Sequence, residues 1–137
     1  MELKARTDKI RKILRTLYPE VNTALVYQTP FQLLVATILS AQCTDKLVNR
    51  VTGKLFQRLK TPADFANAPV GSLEKYIRST GFFRNKARNI KNCSKVLVQD
   101  YDSELPQSLE EMVKLPGVGR KTANVVLGAA FGIAGVV

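Results

Sequence analysis

Residues 115–126 read LPGVGRKTANVV, and this stretch decides how the rest of the chain is read. Two glycines two positions apart, Gly117 and Gly119, follow a proline. They predict a tight hairpin in which each glycine can take a positive φ. A short helix opening at Ser108 precedes the turn and a last helix starts at about Arg120, so the hairpin joins two helices across about residues 109–131. Such a turn presents backbone N–H groups at a helix N-terminus. With the helix dipole, those groups suit a phosphate oxygen and read no base. Arg120 and Lys121 add positive charge at the same place. Gly-Val-Gly alone is equally explained by a structural turn; the longer string is more specific.

Working outward, the punctuation is helical almost throughout. Thr29-Pro30 supplies an N-cap followed by proline at the first helical position, and Gln32 completes a Thr-x-x-Gln capping box. The helix it opens, to about Ala41, is apolar on nearly every side and is therefore expected in the middle of the domain. Thr44 caps a helix carrying Leu47, Val48, Val51, Leu55 and Leu59, and Thr61-Pro62 starts a short one. Leu73 to Ile77 marks another, which Gly81 terminates. From Asn85 to about Tyr101, Ala87, Ile90, Ser94 and Leu97 form an inner stripe, with Lys86, Arg88, Lys91 and Lys95 expected mostly outside it. Ser108-x-x-Glu111 reads as a second capping box. Before all of these, Ile10, Ile13, Leu14 and Leu17 lie on one stripe of a first helix. No stretch alternates with period two over a strand's length. The fold class is all-α, with about seven or eight helices.

Composition narrows the partner. Twenty-one Lys and Arg against eleven Asp and Glu give a net charge of +10, which favours a polyanion, most commonly nucleic acid. Cys43 and Cys93 are the only cysteines and there is no histidine. That excludes zinc fingers, His-based metal sites and any Ser-His or Cys-His nucleophile pair. The N-terminal stretch has no apolar h-region, and the longest apolar runs fall short of the ~20 residues a membrane helix needs. A cytoplasmic, nucleoid-associated protein is expected, or a nuclear one in a eukaryote, but not a secreted one.

Three motifs in order carry a family resemblance: LSAQCTDK at residues 39–46, TGFFRNKARNIK at 80–91 and LPGVGRKTAN at 115–124. Together they resemble the endonuclease III family of helix-hairpin-helix DNA glycosylases. The resemblance implies a helical glycosylase domain of six-helix-barrel type. Residues 21–137 would form the DNA-binding domain, and residues 1–20 a helix that in the family packs on a C-terminal iron–sulfur module.

The resemblance also assigns roles. Lys121 matches the family's nucleophile, whose amine attacks C1′ of the damaged nucleotide, expels the base and forms a Schiff base; β-elimination then nicks the strand. The attack needs a neutral amine, a form that neighbouring positive charge favours. Gln42 matches a residue that fills the space left by the flipped nucleotide, and Phe82 matches a bulky wedge on the opposite-strand side. Gly117, Val118, Gly119, Arg120 and Thr122 form the phosphate-facing set, and Arg84, Lys86 and Arg88 are further expected phosphate contacts. The implied partner is double-stranded DNA carrying a damaged base or an abasic site, with oxidised pyrimidines as substrates.

Two family features have no counterpart in the sequence. The family continues into a Val-Asp-Thr-His segment whose aspartate activates the lysine, whereas here no acidic residue follows Glu111. Full-length relatives usually carry a [4Fe-4S] cluster on four closely spaced cysteines, and those cysteines are absent, so no cofactor or metal is expected in this chain. The chain therefore reads as truncated. Its apolar last residues and the uncovered stripe at Ile10–Leu17 predict marginal stability or self-association. The alternative to a glycosylase–lyase is a non-catalytic helix-hairpin-helix DNA-binding fragment. A monofunctional relative is disfavoured by Lys121.

Overall fold

Thr29 closes the first turn of the most buried helix in the protein. Its hydroxyl accepts the Gln32 N–H at 3.1 Å while Pro30, which has no N–H to lose, takes the first helical position. A computed structural model describes residues 24–132; the expectations for Ile10–Leu17, for residues 1–20 as a unit and for the last residues lie outside them. Within that span the element order is α1 (Pro30–Leu39), α2 (Asp45–Arg58), α3 (Pro62–Asn67), α4 (Val70–Ile77), a 3₁₀ turn (Arg78–Thr80), α5 (Phe83–Asp100), α6 (Leu109–Met112) and α7 (Arg120–Phe131). The described residues contain no strand, so the all-α reading holds.

The core is built around α1, in which Phe31, Gln32, Leu33, Leu34, Val35, Ala36, Ile38 and Leu39 are all buried. A helix apolar on every side has no face to give to water, so neighbours must cover it all round. Helix α7 lies against it through Ala123, Val126 and Leu127, with α2 and α5 also in contact. Phe65 of α3 meets Phe31 edge-on at 5.3 Å between ring centroids and Phe56 at 6.4 Å. Helix α5 packs most extensively on α3 and α4. Its Ala87, Ile90, Ser94 and Leu97 are the buried inner stripe.

The outer side of α5 departs from expectation. Lys86 and Lys91 turn inward and act as caps. The Lys91 ammonium donates to the carbonyls of Ala66 and Ala68 at the end of α3. Lys86 does the same for α1, as described below. A helix that ends in the interior leaves carbonyls without water, and a lysine stem is long enough to bring them a donor.

The caps also differ in detail. Thr29 caps α1, but the Gln32 side chain accepts from the Gln28 N–H at 2.8 Å rather than from the cap's own. Ser108 caps α6, accepting from the Glu111 N–H, while the Glu111 carboxylate accepts from the Tyr101 hydroxyl and from the Lys114 ammonium instead of Ser108. The reciprocal box is at Thr61, whose hydroxyl accepts from the Asp64 N–H at 3.2 Å. The Asp64 carboxylate accepts in turn from the N–H groups of Thr61 (3.2 Å) and Lys60 (3.0 Å). These backbone bonds hold the Asp64 carboxyl below its ordinary pKa.

Thr61→Ala is expected to cost about 1 kcal/mol in chemical denaturation. Because the Asp64 pKa is depressed on folding, its contribution is fully present at neutral pH and is lost as pH falls through the depressed value. Asp64→Asn should flatten the acid limb of the stability curve; an unchanged limb would remove Asp64 from the account.

Candidate functional site

Three loops converge on one side of the bundle: the turn after α1, the turn before α5 and the hairpin between α6 and α7. Between them lies a cleft of about 290 Å³, lined by Thr37, Ile38, Ala41, Gln42, Phe82, Asn85, Lys86, Asn89, Gly117 and Thr122. The structure thus brings Gln42, Phe82, Lys86, Gly117 and Thr122 to one place from three separate motifs. Arg120 and Lys121 stand exposed beside Thr122 on the first turn of α7.

The hairpin is built as a turn within a turn. The Val118 N–H donates to the Leu115 carbonyl at 3.1 Å, with Pro116 and Gly117 between them and Gly117 at φ +77°. Proline followed by a glycine of positive φ is the sequence pattern of a type II turn. A Cβ on Gly117 would stand 2.6 Å from the Asn89 Cβ, so this glycine is required by backbone conformation and by contact with α5 alike. Gly119 differs from expectation. Its backbone is extended (φ −89°, ψ 176°), it is the N-cap of α7, and a Cβ there would meet nothing within 4 Å. No side chain caps α7. Its leading N–H groups therefore have no intrahelical partner and face outward with their partial positive charge.

Val118 is turned inward, only 5% exposed, and its N–H is already engaged. It fastens the hairpin to the core, where the sequence reading put it among the phosphate-facing residues.

Gln42 and Phe82 share an unusual backbone. Both are non-glycine residues in the left-handed region, at φ +57° and +48°. Phe82 is 63% exposed, which settles its place at the surface and not in the core. Left-handed backbone in a bulky residue is unfavourable and persists only where the surroundings hold it. Next to Phe82, the guanidinium groups of Arg78 and Arg84 both lie over the Phe83 ring, at 5.4 and 5.0 Å from its centroid. The one ion pair between side chains of the described residues is Lys114–Glu111, so these arginines, Arg88, Arg120 and Lys121 present unneutralised charge.

Lys86 corrects the sequence reading most clearly. It is 5% exposed, and its ammonium donates to the carbonyls of Leu39 (2.9 Å), Ala41 (3.0 Å) and Thr80 (2.9 Å). With all three N–H donors engaged, none is left for a phosphate. Burial also pushes its pKa below the ordinary lysine value. Thr37, Ile38, Asn85 and Asn89 line the cleft without having been singled out in the sequence. Asn89 carried a usable signal, since it lies seven positions after Phe82 and three after Lys86 on one helix face.

The model of the HhH-GPD superfamily of base excision DNA repair proteins matches residues 35–132. The chain belongs to this superfamily. It is 56% identical over 130 residues to an endonuclease III of Synechocystis sp., covering 95% of this chain and 59% of that protein. A solved non-covalent endonuclease III–DNA complex superposes with a TM-score of 0.81 at 47% identity, over 95% of this chain and 61% of the other. A trapped endonuclease III–DNA covalent intermediate gives 0.81 at 48%, over 92% and 61%. The chain thus spans about 60% of the length of the relatives it matches.

The two cysteines of this HhH-GPD chain do not fit an iron–sulfur cluster. Cys93 is buried in the core, and burial pushes its thiol up to about 12, so it stays protonated near neutral pH. Cys43 is half-buried in the turn after α1. No group of three or more potential metal ligands is present among the described residues.

The two hairpin glycines should respond unequally to alanine. Gly117→Ala is expected to cost more than ~1–2 kcal/mol from left-handed backbone alone, with the Asn89 clash added. Gly119→Ala should cost less, about 0.5–1 kcal/mol, from the poorer N-cap alone. Equal losses in urea denaturation would show that Gly119 is also an internal structural requirement.

Proposed function

We propose that this chain binds double-stranded DNA at a damaged base or an abasic site and acts as a bifunctional DNA N-glycosylase and abasic-site lyase, with oxidised pyrimidines as substrates. The observation that supports the reading is the convergence of Gln42, Phe82, Gly117 and Thr122 around one cleft, with Lys121 next in the chain to Thr122 on the uncapped first turn of α7. On this reading the DNA-binding domain spans residues 21–137, with the hairpin at about 109–131. In the cell it works where the DNA is, in the cytoplasm on the nucleoid or in a nucleus. No helix of the described residues is long and apolar enough to cross a membrane.

The roles follow from position. The outward N–H groups of α7, together with Arg120 and Thr122, hold a phosphate of the damaged strand beside the hairpin. At Gly119 a DNA backbone can come as close as the missing side chain permits. Gln42 occupies the gap left by the flipped nucleotide and Phe82 presses between bases of the other strand, offsetting part of the unstacking cost of a few kcal/mol. Lys121 supplies the amine. Its lone pair attacks C1′, and the base departs with the glycosidic electron pair and takes up a proton. The nitrogen then gives up a proton and O4′ leaves C1′ with the bonding pair, opening the sugar ring. The resulting Schiff base loses a C2′ proton to expel the 3′ phosphate. Arg78, Arg84 and Arg88 contribute charge along the flanking backbone. The neighbour solved as a trapped covalent intermediate with DNA supports a covalent route.

Borohydride trapping on a duplex with one abasic site tests the catalytic part. The expected result is a covalent adduct with the full chain that Lys121→Ala abolishes, with equilibrium binding changed only modestly. Binding retained without any adduct would make the chain a DNA-binding module instead. Binding should also weaken steeply with salt, and Arg120→Ala should reduce the slope of log K against log salt by about one. A salt-independent affinity would refute phosphate contact altogether.

A further inference from the structure

The cleft is walled by three loops, yet one face of α5 touches them all. Phe82 is the N-cap of α5, Lys86 lies four residues on and Asn89 seven, so the three stand in a row one above another. Phe82 carries the second loop. Asn89 lies beneath the hairpin, so close to Gly117 that no Cβ fits between them. Lys86 binds Leu39 and Ala41, the two carbonyls leading into Gln42, and with its third donor Thr80, two residues before Phe82. Around these contacts the two loops share a pattern. Each closes with a short backbone turn, Cys43 N–H to Ser40 carbonyl at 3.0 Å and Gly81 N–H to Arg78 carbonyl at 3.3 Å. Gln42 lies within the first of these turns and Phe82 directly after the second, and each is a non-glycine residue in left-handed backbone at the cleft.

We infer that Lys86 is a positioning residue that fixes the spacing between Gln42 and Phe82, and so sets the chain's ability to distinguish an opened DNA site from an intact duplex. The inference rests on the proposed DNA-binding reading. A wedge that must enter a duplex from two sides works only at a fixed separation. A single ammonium bonded to both loops holds that separation more tightly than either loop's own turn. Because it makes no contact with DNA, Lys86 contributes to discrimination and not to general affinity. Lysine suits the place because its three donors radiate from one atom toward carbonyls of two segments, whereas the planar fork of arginine points its donors differently.

The experiment compares the full chain with Lys86→Met, with Gln42→Ala/Phe82→Ala and with the triple variant. The measurement is affinity for a duplex carrying a stable abasic-site analogue relative to the same duplex intact. Lys86→Met is expected to reduce that ratio about tenfold while leaving intact-duplex affinity and its salt slope unchanged. In the Gln42→Ala/Phe82→Ala background it should have no further effect. An unchanged ratio, or an equal loss in that background, would overturn the inference. Amide hydrogen exchange without DNA supplies a readout that does not depend on the DNA-binding reading. Lys86→Met should accelerate exchange in residues 39–44 and 79–83 together, with the α7 core at its native rate. Slow exchange retained in either loop, or acceleration throughout the protein, would overturn the inference even if the wild-type chain showed no preference for the abasic duplex. That absence of preference would count against the proposed function instead.

Discussion

The constraint on which the structure turns is that α1 is buried over most of its length, through to Leu39. A helix finishing at the surface leaves its last carbonyls to water. One finishing in the interior must find donors within the protein, and each buried carbonyl left without one costs about 1–3 kcal/mol. Here the donor is the Lys86 ammonium, brought in from α5 to Leu39 and Ala41. Burying that charge is itself costly, and only a full set of close acceptors makes it tolerable. The result is a joint between α1 and α5 that can neither slide nor open without exposing an unpaired charge or unpaired carbonyls.

That joint lies where the protein meets its surroundings. The chain leaves α1 at Leu39, is held at Ala41, and turns out at once through Gln42; the chain leading into α5 is held at Thr80 and turns out through Phe82. Left-handed backbone at a non-glycine residue costs on the order of 1–3 kcal/mol. Two such residues at the rim of one cleft, both next to segments fixed by one ammonium, imply that the surrounding structure imposes the geometry. Phe82 adds an apolar ring left mostly in water, a further local cost that folding alone does not require. Of the four non-glycine residues in left-handed backbone among the described residues, Asp102 and Ser103 lie in the turn after α5 and the other two stand at this cleft, with unneutralised arginines alongside.

Much of this was legible in the sequence, and the failures share a cause. Threonine or serine before proline or an acidic turn located Thr29, Thr44, Thr61 and Ser108 correctly, because capping is local and needs no knowledge of the fold. The stripe Ala87, Ile90, Ser94 and Leu97 was legible for the same reason. Lys86 and Lys91 were misread because a charged residue beside an inner stripe is usually solvated, and only the positions of α1 and α3 reveal the carbonyls they serve. Val118 was misread in the other direction: a residue between two turn glycines looks exposed, yet its side chain lies in the core. Gly119 shows the limit of composition, since two glycines in one motif suggest one conformational reason and the structure supplies two different ones.

The contrast between those glycines bears directly on how the hairpin works. Gly117 answers to the protein's interior: its φ and its contact with Asn89 set the path of the turn. Gly119 answers to nothing inside the described chain, since its backbone is one any residue adopts and the space around its Cα is open. A serine, asparagine or aspartate would cap α7 better than glycine. Each would also place an oxygen over the N–H groups at the helix start, and aspartate would add a negative charge. Leaving the cap off keeps those donors free and the approach to them unobstructed, at some cost in helix stability. The hairpin is thus rigid where it meets α5 and bare where it faces outward, and a phosphate needs both: a fixed set of donors and room for the backbone that carries it.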